Sequence, residues 1–188
     1  MARYKAQFSR QLTRSHGVAS VIADWFRESG SDVDLKPLQI APNWESRHDY
    51  NDGGFDMTVD GLRVDVKGSY WNGNWTKPDE FPWPMVYVCP VDEYERLVGS
   101  KGVPHLWVRT NWMAKPNYYG DVTPDIVTSC MGIGRSSRDA WEVVVSRKDR
   151  TDNPDDVDRY WACPRDRVLS WEQVVGILSE WRSNRGAQ

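Results

Sequence analysis

Residues 55–67 read FDMTVDGLRVDVK, and this stretch decides the fold. Asp60-Gly61 is a favoured two-residue type I′ turn, and apolar residues alternate on both sides of it. The turn sets the register. Val59 faces Leu62, Thr58 faces Arg63, Met57 faces Val64, and Asp56 faces Asp65. Side chains alternate across a strand, so Met57, Val59, Leu62, Val64 and Val66 form one apolar face. Asp56, Thr58, Arg63, Asp65 and Lys67 form the polar face. Directly opposed carboxylates lie only ~5 Å apart and repel each other. A divalent cation held by both offsets that repulsion, and hard oxygen ligands suit Mg²⁺ or Mn²⁺. Lys67 projects from the same face as Asp65. A lysine there can orient a water or neutralise charge that builds on a phosphorus centre.

Upstream of the hairpin, residues 15–29 predict a helix. Val18, Val21, Ile22, Trp25 and Phe26 make one apolar stripe, with Ser15 as a cap and Gly30 just past the end. Residues 33–41 predict a short strand, which Pro37 places at a sheet edge. Residues 42–54 are a polar loop. Downstream, residues 68–84 are a loop of Trp, Asn, Gly and Pro. Met85–Cys89 is a continuous apolar run, expected of a strand covered on both sides. Residues 92–99 suit a short helix, and His105–Thr110 and Trp141–Ser146 suit strands. Residues 111–140 show no period and predict a loop, as does the acidic stretch 149–158. Ser170 and Gln173 make a capping box for a helix over 170–182, with Trp171, Val174, Val175, Leu178 and Trp181 as its stripe.

The whole chain has 188 residues, 39% hydrophobic and 27% charged, enough for one domain with a sizeable core. No apolar run approaches the ~20 residues of a membrane helix. The N-terminal MARYKAQFSRQLTRSHG lacks the apolar segment of a signal peptide. Cys89, Cys130 and Cys163 are odd in number and far apart, which argues against a disulfide framework or zinc cage and for small buried side chains. A cytoplasmic location is the expectation. The net charge of −3 conceals an asymmetry. Arg3, Lys5, Arg10 and Arg14 stand in the first 23 residues without an acid, and an acid-rich stretch follows from Asp24 to Asp60. A basic arm beside an acidic patch suits phosphate contact at one place and a cation at another; a solvated tail beside a polar surface gives the same count.

Asp56, then Asp65, Val66 and Lys67 nine to eleven residues later, on a hairpin after an N-terminal helix, resemble the PD-(D/E)XK nuclease superfamily. Asp56 matches its first acid, Asp65 its second and Lys67 its lysine. The lead-in Gly53-Gly54-Phe55-Asp56 and the run Val64-Asp65-Val66-Lys67-Gly68-Ser69 follow the family wording. Phe55 stands where proline is frequent. The resemblance covers roughly residues 15–90. It implies an α/β (α+β) fold of αβββαβ type, a restriction-endonuclease-like mixed sheet flanked by helices. It implies one domain over 1–188, with 15–90 as the motif-bearing core and 91–188 as elaborations and a C-terminal helix. It implies an Mg²⁺- or Mn²⁺-dependent nuclease acting on DNA, an endonuclease of phage or mobile-element type. The Val66 carbonyl is implied as an extra metal ligand. Many members carry a glutamate on the first helix. Here Gly17 is followed three residues on by Ser20, so Asp24 is the helix substitute, with Asp49 and Asp52 as loop candidates.

Eleven tryptophans demand a place. Trp25, Trp171 and Trp181 fall in helical stripes, and Trp107 and Trp141 in strands, which makes them core. Trp71, Trp75 and Trp83 follow Lys67 in a loop, where an exposed ring can stack on an unpaired base or simply pin the loop. Arg10, Arg14 and Lys77 are candidate phosphate contacts. DNA is the expected partner, no membrane is expected, and homodimer formation stays open. Two rivals remain. A degraded nuclease fold can bind nucleic acid or protein without catalysis, and a Trp-lined domain can bind carbohydrate.

Overall fold

The structure, a computed structural model, describes residues 2–40, 54–69, 75–100, 102–112, 127–147 and 157–185. Helix α1 spans Ala2–Glu28 and is followed by β1 (Val33–Leu35), β2 (Met57–Val59) and β3 (Leu62–Ser69). Next come β4 (Met85–Pro90), α2 (Val91–Ser100), β5 (Leu106–Trp112) and β6 (Val127–Gly134). The chain continues through β7 (Glu142–Arg147), β8 (Val157–Pro164), β9 (Leu169–Ser170) and α3 (Trp171–Arg185). Among the described residues, one sheet has six strands in the order β1-β2-β3-β5-β6-β9, and a second has three in the order β4-β8-β7. The six-stranded sheet is mixed: β3 and β5 run parallel, and its other pairs run antiparallel. The class is therefore mixed α/β, with helices packed on a mixed sheet.

The hairpin forms in the predicted register for three pairs, Val59 with Leu62, Thr58 with Arg63 and Met57 with Val64. Asp60 (φ 50) and Gly61 (φ 81) both adopt the left-handed conformation that a type I′ turn requires. Asp60 also anchors α3. Its carboxylate accepts from Arg182 Nη1 at 2.9 Å, and its carbonyl accepts from Arg185 Nη1 at 3.1 Å. One buried cluster lies on the α1 and α3 side of the sheet, where Val18, Ile22 and Phe26 meet Met57, Val59, Val64 and Val66. Each such fully buried side chain contributes ~1.5–3 kcal/mol. The second cluster joins the opposite face of the sheet to β4, β8 and α2 through Trp107, Ile133, Val86, Cys163 and Leu97. Residues beyond 90 thus complete the same sheet and core as the hairpin.

Several expectations change. Helix α1 begins well before residue 15. The loop expected over 111–140 contains β6 and a 3-10 turn over Arg135–Ala140. β6 is buried along nearly its whole length, so it lacks the alternation that marks a half-buried strand. β4 is not covered on both sides, because Tyr87 stays exposed. The acidic stretch 149–158 lies mostly outside the described residues, and its end opens β8. The predicted capping box closes α3 as read: Ser170 N–H donates to Gln173 Oε1 at 2.8 Å, and Gln173 N–H donates to Ser170 Oγ at 3.3 Å. Cys89, Cys130 and Cys163 are free and buried. Among the described residues, no helix is long and apolar enough to cross a membrane.

Candidate active site

β3 presents its apolar residues to α1 and its polar ones to the second sheet. Asp65 and Lys67 thus face away from α1 and lie beside Trp107 and Arg109, their parallel partners on β5. The ladder between β2 and β3 stops one pair short of the facing acids. Instead the Asp56 N–H donates to the Val64 carbonyl at 2.9 Å, and Asp56 Oδ2 accepts from the Val66 N–H at 2.6 Å. The expected Asp56–Asp65 ladder pair does not form. The two carboxyls are still neighbours, each acting on the other's protonation.

Burial dominates the electrostatics of this pair. It raises the Asp56 carboxyl, against the Val66 N–H and Lys67. It lifts the Asp65 carboxyl to about 7, opposed by Lys67 and assisted by Asp56. Like-charged neighbours out of water disfavour double ionisation. Lys67 Nζ stands 3.1 Å from Asp65 Oδ2 and 3.5 Å from Glu93 on α2. Burial works to lower the Lys67 ammonium, but Asp65 and Glu93 outweigh it and hold the group above its ordinary range. Lys67 is thus a fixed cation. Burial pushes the neighbouring Cys89 thiol up to about 12, so it is no thiolate nucleophile at neutral pH.

Two acids in contact form a hard-oxygen donor set. Asp65 is buried with the Lys67 ammonium 3.1 Å from its Oδ2, and a carboxylate offers about four lone-pair sites, so the ion pair does not exhaust it. In a strand the N–H and C=O of one residue point to the same side. The Val66 carbonyl therefore points, like its N–H, toward Asp56 and past the end of β2. These donors fit a small divalent cation. Among the described residues no group of three or more His, Cys, Asp or Glu side chains surrounds a common point. Any remaining positions around such an ion would fall to backbone and water.

The site opens into a cleft of about 920 Å³ between the two sheets, with Lys67, Glu93 and Arg109 on its floor. Burial lowers the Arg109 guanidinium to about 10, against the pull of Asp65, which leaves it charged at neutral pH. Glu93 and Arg109 carried no signal in the sequence. They reach the site through the α2 crossover and the parallel pairing of β3 with β5, both long-range features.

The other candidates divide. Asp24 is exposed and paired with Arg27 at 2.7 Å, so it does not complete the site; Glu28, the other acid of α1, is exposed as well. Trp75 is not a stacking platform: it is buried, its ring 5.7 Å from Phe81, and its carbonyl accepts from Asn111 and Ser129. Trp181, expected in the core, is exposed, with its indole N–H 3.4 Å from the Asp60 carbonyl. Trp25 and Trp171 pack edge to face at 5.9 Å, and Trp107 and Trp141 at 5.1 Å. Lys77 is exposed beside Asp79 and Glu80, and Arg14 is half-buried on α1. Arg10 lies on α1, its side chain outside the described residues, as are Asp49, Asp52 and Trp71. Compared with protein-family models, with curated proteins and with solved structures, the chain finds no match in any of the three.

Proposed function

We propose that the protein is a metal-dependent nuclease that hydrolyses phosphodiester bonds of DNA at Asp56, Asp65 and Lys67. The observation that carries this reading is the placement of buried Asp65 and half-buried Asp56 beside a fixed lysine that lines an open cleft. The chain order supports it. One helix, three antiparallel strands, then β4 of the second sheet, a helix and a parallel strand follow in order, and with β4 set aside as an addition this is the αβββαβ order of the superfamily that the motif resembles.

In this reading Asp56 and Asp65 would hold Mg²⁺ or Mn²⁺, with the Val66 carbonyl as a further oxygen. A divalent cation there would supply Lewis-acid chemistry to the phosphoryl group and the attacking water. Lys67 keeps its proton throughout. Its ammonium orients the attacking water and balances negative charge that grows on the phosphoryl oxygens. The water oxygen bonds to phosphorus as its proton passes to solvent, the bond from phosphorus to the leaving sugar oxygen breaks, and that oxygen takes up a proton from solvent. Arg109, on the same face one strand over, adds positive charge beside the phosphate path.

One observation favours a second reading, a nuclease-like fold that binds nucleic acid without cutting it. Helix α1 brings no acid to the site, since Asp24 and Glu28 both face solvent. Plasmid and branched DNA, incubated with Mg²⁺ or Mn²⁺, separate the two. Cleavage by the parent but not by Asp65→Ala or Lys67→Ala supports the enzyme. Binding without cleavage at every metal concentration supports the second reading and removes the first.

A further inference from the structure

Beyond Lys67 and Arg109, the cleft is walled by aromatic rings. Trp83 is 48% exposed on one side, although a large apolar ring ordinarily gains by burial. Its ring is propped edge to face on Phe81 at 5.3 Å, and Phe81 rests in turn on buried Trp75 at 5.7 Å. The chain of rings runs from core to surface and fixes the position of the outermost ring. Tyr87 and Tyr160 line the cleft as a stacked pair, 5.2 Å apart and 23° from parallel. Tyr87 leaves 39% of its surface exposed. The cleft is thus lined by aromatic rings above a floor of mixed charge that carries Lys67, Glu93 and Arg109.

We infer that this cleft is a nucleotide-binding subsite that takes an unpaired base of single-stranded or frayed DNA against Trp83 and the Tyr87–Tyr160 pair, with its phosphate toward Lys67 and Arg109. The inference rests on the nuclease reading for its ligand class and names the substrate of that site: DNA with an unstacked nucleotide, not intact duplex. Stacked bases in a duplex hide their faces, whereas a splayed base offers one to each ring. A volume of about 920 Å³ accommodates a small organic ligand of this size class. Sugars also stack on aromatic rings, so the choice of a nucleotide over a sugar follows from the nuclease reading, and Lys67 and Arg109 bring donors of charge-assisted hydrogen bonds to the same cleft for its phosphate.

Equilibrium binding by the full chain in EDTA tests this without cleavage. The probes are a short fluorescent single-stranded DNA and the blunt duplex of the same sequence. The parent is expected to bind the single strand more tightly. Trp83→Ala and Tyr87→Ala, both at exposed positions, are expected to weaken single-strand binding roughly tenfold or more, and Trp83→Phe to restore most of it. Equal affinity for single strand and duplex overturns the inference, as does wild-type single-strand binding by both alanine variants. Displacement of the probe by a neutral oligosaccharide but not by a mononucleotide also overturns it. The nuclease reading fails separately: no cleavage in Mg²⁺ or Mn²⁺, with ring-dependent single-strand binding intact, removes the catalysis and leaves the subsite standing.

Discussion

Asp56 Oδ2 accepts the Val66 N–H at 2.6 Å, so the first acid is tied to the strand that carries the second acid and the lysine. The bond uses a donor that the β2–β3 ladder leaves free where β2 ends. It turns the Asp56 carboxylate toward Asp65 although the two residues are not ladder partners. Strand geometry alone thus gathers two acids and a lysine within a three-residue span of β3 and one residue beside it.

The acid pair sets how stability responds to pH and metal. Asp65 holds its proton to about 7 in the fold but releases it near 3.8 when unfolded. Between those values the native state binds more protons than the unfolded chain, so metal-free stability contributed by this group is full below 3.8 and is lost as pH rises through 7. Thermal unfolding in EDTA across that window is expected to show the decline, and Asp65→Asn to flatten it. Near neutral pH, Mn²⁺ at about 100 times its dissociation constant is expected to add ~2.7 kcal/mol, or roughly 5–10 °C in Tm for a chain of this length. An equal rise in Asp65→Ala would place the ion elsewhere.

Lys67 owes its raised pKa to Asp65 and Glu93. Glu93→Gln removes one of those charges and keeps the shape. Asp65 remains the larger of the two influences, so the ammonium is expected to stay protonated in this variant, and the pH–rate profile to show no alkaline limb from Lys67 in either protein up to about pH 9. A limb that appears below about pH 9 in Glu93→Gln alone would mean that Glu93 is what keeps the lysine charged.

Gly54 explains physically why the lead-in to Asp56 needs a glycine. Its φ of 67 lies in the left-handed region, and a Cβ there would come within 2.5 Å of the Leu97 side chain on α2. Gly54→Ala therefore meets both backbone strain and overpacking, a cost of about 1–3 kcal/mol. Differential scanning should show Tm lower by roughly 2–12 °C. An unchanged Tm would mean that α2 does not press on the lead-in.

Trp75 makes the contrast between core and ligand tryptophans measurable. Trp75→Ala empties a buried site and is expected to cost about 3–5 kcal/mol, roughly 6–20 °C in Tm. Trp83→Ala, at an exposed position, is expected to cost far less. A small loss of Tm in Trp75→Ala would argue that the ring is not packed as described.

What the sequence disclosed follows from where the physics is local. The Asp60-Gly61 turn and the Ser170–Gln173 cap are fixed by residues within a few positions, so both were legible. Helix α1 was legible where its stripe packs on the sheet. β6 was not, because VTSCMGIG is buried with little alternation and mimics no period. Trp75 misled because a loop of Asn, Gly and Pro implies exposure, whereas Asn111 and Ser129 draw its carbonyl inside. Glu93 and Arg109 were invisible because only the β3–β5 pairing and its crossover bring them to Lys67. Asp24 matched by helical phase, but phase does not settle which side of α1 meets the sheet.

The most direct measurement is the initial rate of plasmid cleavage in Mg²⁺ by the parent, Asp56→Asn, Asp65→Asn, Lys67→Met and the triple variant. Groups that act as one unit lose function together and not additively. The account predicts that each single variant falls at least ~100-fold and that the triple variant is scarcely worse than any of them. Parent-like cleavage by any one of the three single variants, with folding intact, would contradict it.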